Sequence, residues 1–261
     1  MTSVLNFQNV SVIRDDHAIL SGINWVVNPD ERWAVIGPNG AGKTTLLQLA
    51  SAHTKPTSGN ATVVGESVSA DDVTELRTRL GFSSSAVARL IPNTETVLDA
   101  VMTAAWAVTA RDSEQYDDID EKRAMRVLAE WKLDKLAERQ FGTLSDGEQK
   151  RVQIARSIMT DPEILFLDEP AASLDLGSRE ELLLMLDGFA SMRTAPAMIL
   201  VTHHVDEIPA AFTHALVLKN GSIVSQCRIQ EVLTSSVLSE AFGTQLHVEH
   251  INGRFSARGI R

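Results

Sequence analysis

The sequence predicts an α/β fold: a phosphate-binding loop on a mainly parallel sheet, with an antiparallel β edge and a helical lobe. Three observations lead there. An apolar run, Trp33 to Ile36, passes straight into a Gly-rich loop and then into a segment of helical character. Two later runs, Ile164 to Leu167 and Ala197 to Thr202, are almost wholly apolar, as strands covered by helices on both faces must be. A helix-like segment separates them, and alternating strand and helix is the pattern of a parallel sheet.

Taken in order, residues 4–36 carry short apolar runs broken by Asp15, Asp16, Ser21, Gly22, Asn28, Pro29 and Asp30, which reads as strands joined by turns. A helix starts at Lys43 and carries Leu46, Leu47 and Leu49. Apolar spacing predicts further helices near 97–109 and 119–131. Ser145 with Glu148 three residues on is the capping-box pattern, so a helix runs from there to about Met159. A strand, a helix over about 176–192 and a second strand follow, and the tail reads as two short helices and a strand pair. With no repeat or linker, the chain is expected to be one domain. Its core and β edge span 1–83 and 146–225, its helical lobe 84–145, and its C-terminal extension 226–261.

Composition narrows the function classes. The 261 residues carry a net charge of -10, which offers nucleic acid no basic face, so none is expected as a partner. The longest stretch without Asp, Glu, Lys or Arg is 13 residues (17–29), against about 20 for a membrane-spanning helix. The N-terminus lacks the pattern of a secretory signal and the single cysteine is Cys227, so a reducing, cytoplasmic setting is expected.

Two motifs carry chemistry. Gly37-Pro38-Asn39-Gly40-Ala41-Gly42-Lys43-Thr44, with Thr45 next, matches the phosphate-binding loop in its required place between strand and helix. Glycines let successive amides turn toward one anion, and the helix start adds partial positive charge. Lys43 would reach the β and γ phosphates of a bound nucleotide, and the Thr44 hydroxyl would ligate Mg2+. The run Ile164 to Asp168-Glu169 ends a strand on two carboxylates, at the sheet edge where ligands of such folds lie. Alone, that is an ordinary strand exit. Beside a phosphate loop, Asp168 becomes a magnesium ligand and Glu169 the group facing the attacking water.

Leu144-Ser145-Asp146-Gly147-Glu148-Gln149 resembles the signature of the ATP-binding cassette family, in a variant with Asp and Glu where Gly and Gln are commoner. The resemblance covers about residues 4–225 and implies a P-loop NTPase core. It also implies that Ser145, Asp146, Gly147 and Glu148 complete the ATP site of a second copy, giving a homodimer with ATP at its interface. Ala172-Ser173-Leu174-Asp175 is similar to the family's inter-subunit loop. Thr202-His203 is similar to its switch histidine, placing His203 at the γ phosphate; the neighbouring His204 reads as incidental.

Two positions depart from the family. Where an aromatic side chain usually stacks on adenine stands Arg14, with His17 near it; a guanidinium plane also stacks on a purine. Where a glutamine usually follows Leu80-Gly81-Phe82 stands Ser85, too short to reach as far, which puts coupling to a membrane subunit in question.

The tail segments 231–234, 238–244 and 247–249 look like those of ATPases that power iron-siderophore and cobalamin importers. The expected role is therefore the ATP-hydrolysing subunit of a transporter, held at the inner face of the cell membrane by polytopic partner subunits. The alternative is a non-transport cassette ATPase that regulates or remodels a macromolecule. Asp117, Asp118, Asp120 and Glu121 read as a solvated helix start, and Trp25, Trp33, Trp106 and Trp131 as packing.

Overall fold

The computed structural model describes residues 2–106 and 118–260; the side chain of Trp106 and all of Asp117 fall outside what it describes. The chain opens with a hairpin, β1 (Leu5–Arg14) and β2 (His17–Val27). Asp15 and Asp16 turn it at φ of +49° and +59°, the two-residue left-handed turn whose twist matches paired strands. β3 (Arg32–Ile36) leads through the Gly-rich loop into α1 (Lys43–Ala50), and β4 (Ser58–Val63) and β5 (Glu66–Ser67) return to the hairpin. Together they form an antiparallel sheet of order β2-β1-β4-β5.

α2 (Thr74–Thr78) precedes β6 (Leu80–Ser83), after which α3 (Ser85–Ala88), α4 (Val97–Met102) and α5 (Asp118–Glu130) follow. The helix expected over 97–109 ends at Met102 and tightens into a 3₁₀ turn to Trp106. Next come α6 (Asp146–Ile158), β7 (Ile164–Asp168), α7 (Leu176–Ala190), β8 (Ala197–Val201), β9 (His214–Lys219) and β10 (Ser222–Arg228). The tail holds α8 (Ile229–Val232), α9 (Ser235–Phe242) and the hairpin β11 (Leu246–Ile251) with β12 (Arg254–Gly259).

The central sheet has the order β10-β9-β3-β8-β7-β6 and is parallel except for β10. Its two faces bury alternate residues of the same strands. Trp33, Val35, Phe166, Ile199 and Leu216 face one core, shared with the antiparallel sheet and α1. Ala34, Ile36, Leu165, Leu167, Leu200 and Val217 face the other, shared with α4, α5, α6 and α7. That is why these strands have no polar face. β4 and β5 are a finding without a sequence signal, since Ser58, Gly59 and Asn60 are exposed and polar. Gly59 is required there: at φ +85°, a Cβ would lie 2.2 Å from the Asn9 carbonyl oxygen. Trp25, Trp33 and Trp131 are buried, as packing residues should be.

Candidate functional site

The loop 37–42 closes around the start of α1. Gly37, buried at the end of β3, passes so close to β9 that a Cβ would lie 2.3 Å from the Leu218 carbonyl oxygen. Gly42 caps α1 at φ +100° with no side chain on the helix's first amides, leaving them to an anion from outside. Pro38 is partly buried, Asn39 and Gly40 are exposed, and Ala41 is buried. Lys43 is buried and donates from Nζ to the carbonyls of Gly37 at 2.8 Å and Pro38 at 3.1 Å, so the loop wraps its own ammonium. Thr44 is exposed on a cleft and Thr45 faces the interior.

Opposite stand the ends of β7 and β8. Asp168 terminates β7, and its Oδ1 is buried without a hydrogen-bond partner among the described residues. Burial, with Glu169 beside it, pushes the Asp168 carboxyl up to about 6, against the pull of Lys43 and Lys150. Glu169 sits in the left-handed region at φ +49°, and its N–H donates to the Val201 carbonyl at 2.9 Å, so β8 fixes the kink that turns it off the strand. His203, two residues past β8, brings Nδ1 to 3.1 Å from Glu169 Oε1. Thr202 secures that exit: its hydroxyl is bonded to the Glu207 carboxylate and accepts the His204 N–H at 3.0 Å.

Thr44, Gln48, Ser84, Ser85, Asp168 and Glu169 line one cleft of about 390 Å3. Lys43, Asp168 and Glu169 act on one another's charge across the same region. Ser85 begins α3, capped by the Ser84 hydroxyl, which accepts the Val87 N–H. Arg14 stands at the end of β1 and donates from Nη2 to Thr54 Oγ1 at 3.2 Å and Gln48 Oε1 at 3.5 Å, which ties it to the side of α1 that borders the cleft.

The signature residues are elsewhere. Ser145 and Asp146 are exposed at the start of α6, where the capping box is complete. Glu148 Oε2 accepts the Ser145 N–H at 2.8 Å, and Glu148 is held below the usual carboxylate range mainly by that bond. A Cβ on Gly147 would lie 3.2 Å from Ser178 Cβ, so α6 and α7 begin side by side. Asp175 caps α7, accepting the Ser178 N–H at 3.0 Å. Gln48 and Lys150 carry no signal in the sequence; each is an ordinary polar residue on a helix, and only the fold brings Gln48 to the cleft and Lys150 to Ser85 on its lining.

Comparison with known proteins identifies the family and agrees with the fold. The family model described as "ABC transporter" fits residues 20–172. An uncharacterised ABC transporter ATP-binding protein, YlmA of Bacillus subtilis, is 37% identical over 94% of this chain and 93% of its own length. The hemin import ATP-binding protein HmuV of Jannaschia sp. is 31% identical over 94% of this chain and 89% of its own. The crystal structure of an ATP-binding cassette of an ABC transporter in its ADP conformation superposes with a TM-score of 0.79 at 23% identity, over 92% of this chain and 98% of that one. The chain belongs to the ABC transporter ATP-binding family and is an ATP-hydrolysing subunit of that kind.

Proposed function

We propose that this chain hydrolyses ATP at the strand ends of β7 and β8 and thereby drives a transporter whose membrane-spanning part is a separate, polytopic subunit. The observation that carries the reading is the meeting of Asp168 and Glu169 in one cleft with Thr44, with His203 Nδ1 at 3.1 Å from Glu169 Oε1.

Magnesium fits the residues present. The Asp168 Oδ1 is buried without a partner among the described residues, and a carboxylate with the Thr44 hydroxyl is the all-oxygen donor set that a hard cation takes. Bound there, the ion would neutralise charge on the β and γ phosphates. The chain's own residues do the rest. The loop amides and Lys43 bind the phosphates, Lys43 exchanging the carbonyls of Gly37 and Pro38 for phosphate oxygens. Glu169 takes a proton from the attacking water, and His203 orients Glu169 and the γ phosphate.

In this reading Ser145, Asp146, Gly147 and Glu148 serve the ATP bound by a second copy, and Asp175 lies where the copies meet. The exposed start of α6 supports it, because a helix N-terminus favours phosphate. Arg14 borders the adenine side. Among the described residues no helix is long and apolar enough to cross a membrane, which suits a subunit held at the inner face of the cell membrane by partners. The likeness to a hemin import ATPase supports import of an iron-chelate cargo.

The test is Glu169→Gln. ATP affinity stays within about twofold while turnover falls roughly 10²-fold, the scale of a lost general base. Unchanged turnover would overturn the assignment.

A further inference from the structure

Lys150 has no part in the scheme above. It lies in the second turn of α6, half-buried, and its Nζ reaches across to the start of α3, 3.5 Å from Ser85 Oγ. Ser85 in turn lines the cleft with Thr44, Asp168 and Glu169. Burial lowers the Lys150 ammonium below the usual lysine range, while the charges of Asp168, Glu169 and Asp146 draw it back up.

The need for such a cation follows from the site. Asp168 and Glu169 are adjacent carboxylates that repel each other, and the groups acting on Asp168's charge are Glu169, Lys43 and Lys150. Once ATP is bound, the phosphates claim Lys43 and bring further negative charge. Among the described residues Lys150 is then the side-chain cation left to act on the pair, beside the magnesium that Asp168 would hold. Ser85 ends one atom beyond its Cβ and cannot reach across the cleft, whereas a lysine carries its charge on a four-carbon stem.

We propose that Lys150 is a positioning residue for ATP hydrolysis: anchored on Ser85 Oγ, its ammonium faces Asp168 and Glu169 and, with His203, keeps the Glu169 carboxylate turned into the cleft. A long cation on α6 thus does what the short side chain at 85 cannot. The inference rests on the roles given to Asp168 and Glu169 above.

The experiment compares Lys150→Met, Lys150→Arg, the double variant Lys150→Met/Ser85→Gln and Glu169→Gln with the parent. It measures kcat, KM for ATP, melting temperature, and binding of a fluorescent ATP analogue without divalent cation. Lys150→Met lowers kcat about tenfold, the scale of one charge-assisted contact, with KM, analogue binding and melting temperature unchanged. Lys150→Arg keeps most of the rate, and the double variant recovers within about threefold of the parent, because an amide from position 85 reaches the same carboxylates.

Turnover of Lys150→Met within twofold of the parent overturns the inference. So does an equal loss in Met and Arg variants accompanied by a lower melting temperature, the mark of a packing role. Should Glu169→Gln keep full turnover, the underlying reading falls instead; if Glu169→Gln is inactive and Lys150→Met is normal, only the role of Lys150 falls.

Discussion

His203 Nδ1 and Glu169 Oε1 lie 3.1 Å apart although the residues belong to different strand exits. The register of β7 with β8 sets this distance: Asp168 pairs with Val201, so the next residue of one strand and the second beyond the other emerge at the same edge. Glu169 is held in a left-handed conformation there by its own amide's bond to Val201. A carboxylate oriented by an imidazole is suited to taking a proton from water.

His203→Ala removes the orienting ring and leaves the phosphate loop untouched. Turnover falls between tenfold and a hundredfold, on the order of a lost acid-base partner, while ATP affinity stays within about twofold. Steady-state kinetics with a nucleotide-binding titration would show it; a parallel loss of affinity would place His203 in binding rather than in orienting the base.

Ser145→Arg puts a long cation at the exposed start of α6 and deletes the cap on the Glu148 amide. The lost cap costs about 1 kcal/mol, so the monomer folds and binds ATP. In a Glu169→Gln background, ATP shifts the parent to a dimer on size-exclusion chromatography and leaves the Ser145→Arg form monomeric. A dimer in both would mean that ATP sites are not shared between copies.

Glu31 links stability to pH. Burial pushes its carboxyl up, but hydrogen bonds from the Asn28 amide and side chain and from Trp33 Nε1, with His214 nearby, more than offset this and hold it below its usual 4.5. Because the folded pKa is depressed, the stabilisation is present above the unfolded value and lost as pH falls through the folded one. Glu31→Gln is therefore less stable to unfolding than the parent at neutral pH, by roughly 1–2 kcal/mol, and the gap closes as pH drops below 4.5. A gap independent of pH would assign the effect to packing.

Gly37→Ala tests the approach of the phosphate loop to β9. The added methyl meets the Leu218 carbonyl at 2.3 Å, and backbone cannot yield as a flexible side chain would. Denaturant unfolding should show a loss of about 1–3 kcal/mol, the usual cost of overpacking, together with weaker ATP binding. Parent-like stability would mean that β3 and β9 move apart freely.

The sequence alone was enough for the phosphate loop, the Asp168-Glu169 strand exit and the capping box at Ser145, because each is a local pattern whose chemistry needs neighbours in the chain. It was enough, too, for β3, β7 and β8, since burial on both faces leaves them almost without polar positions. Only the tertiary structure decided the rest. β4 and β5 are half-exposed and polar, and they exist because β1 offers an edge. The sequence marked His203 only by its resemblance to a motif, and the pairing of β7 with β8 brings it to Glu169. Arg14 and Gln48 touch across 34 residues of chain. Lys150 reaches Ser85 across 65, which no periodicity or spacing records, because long-range contacts are set by how sheets and helices pack rather than by the order of residues.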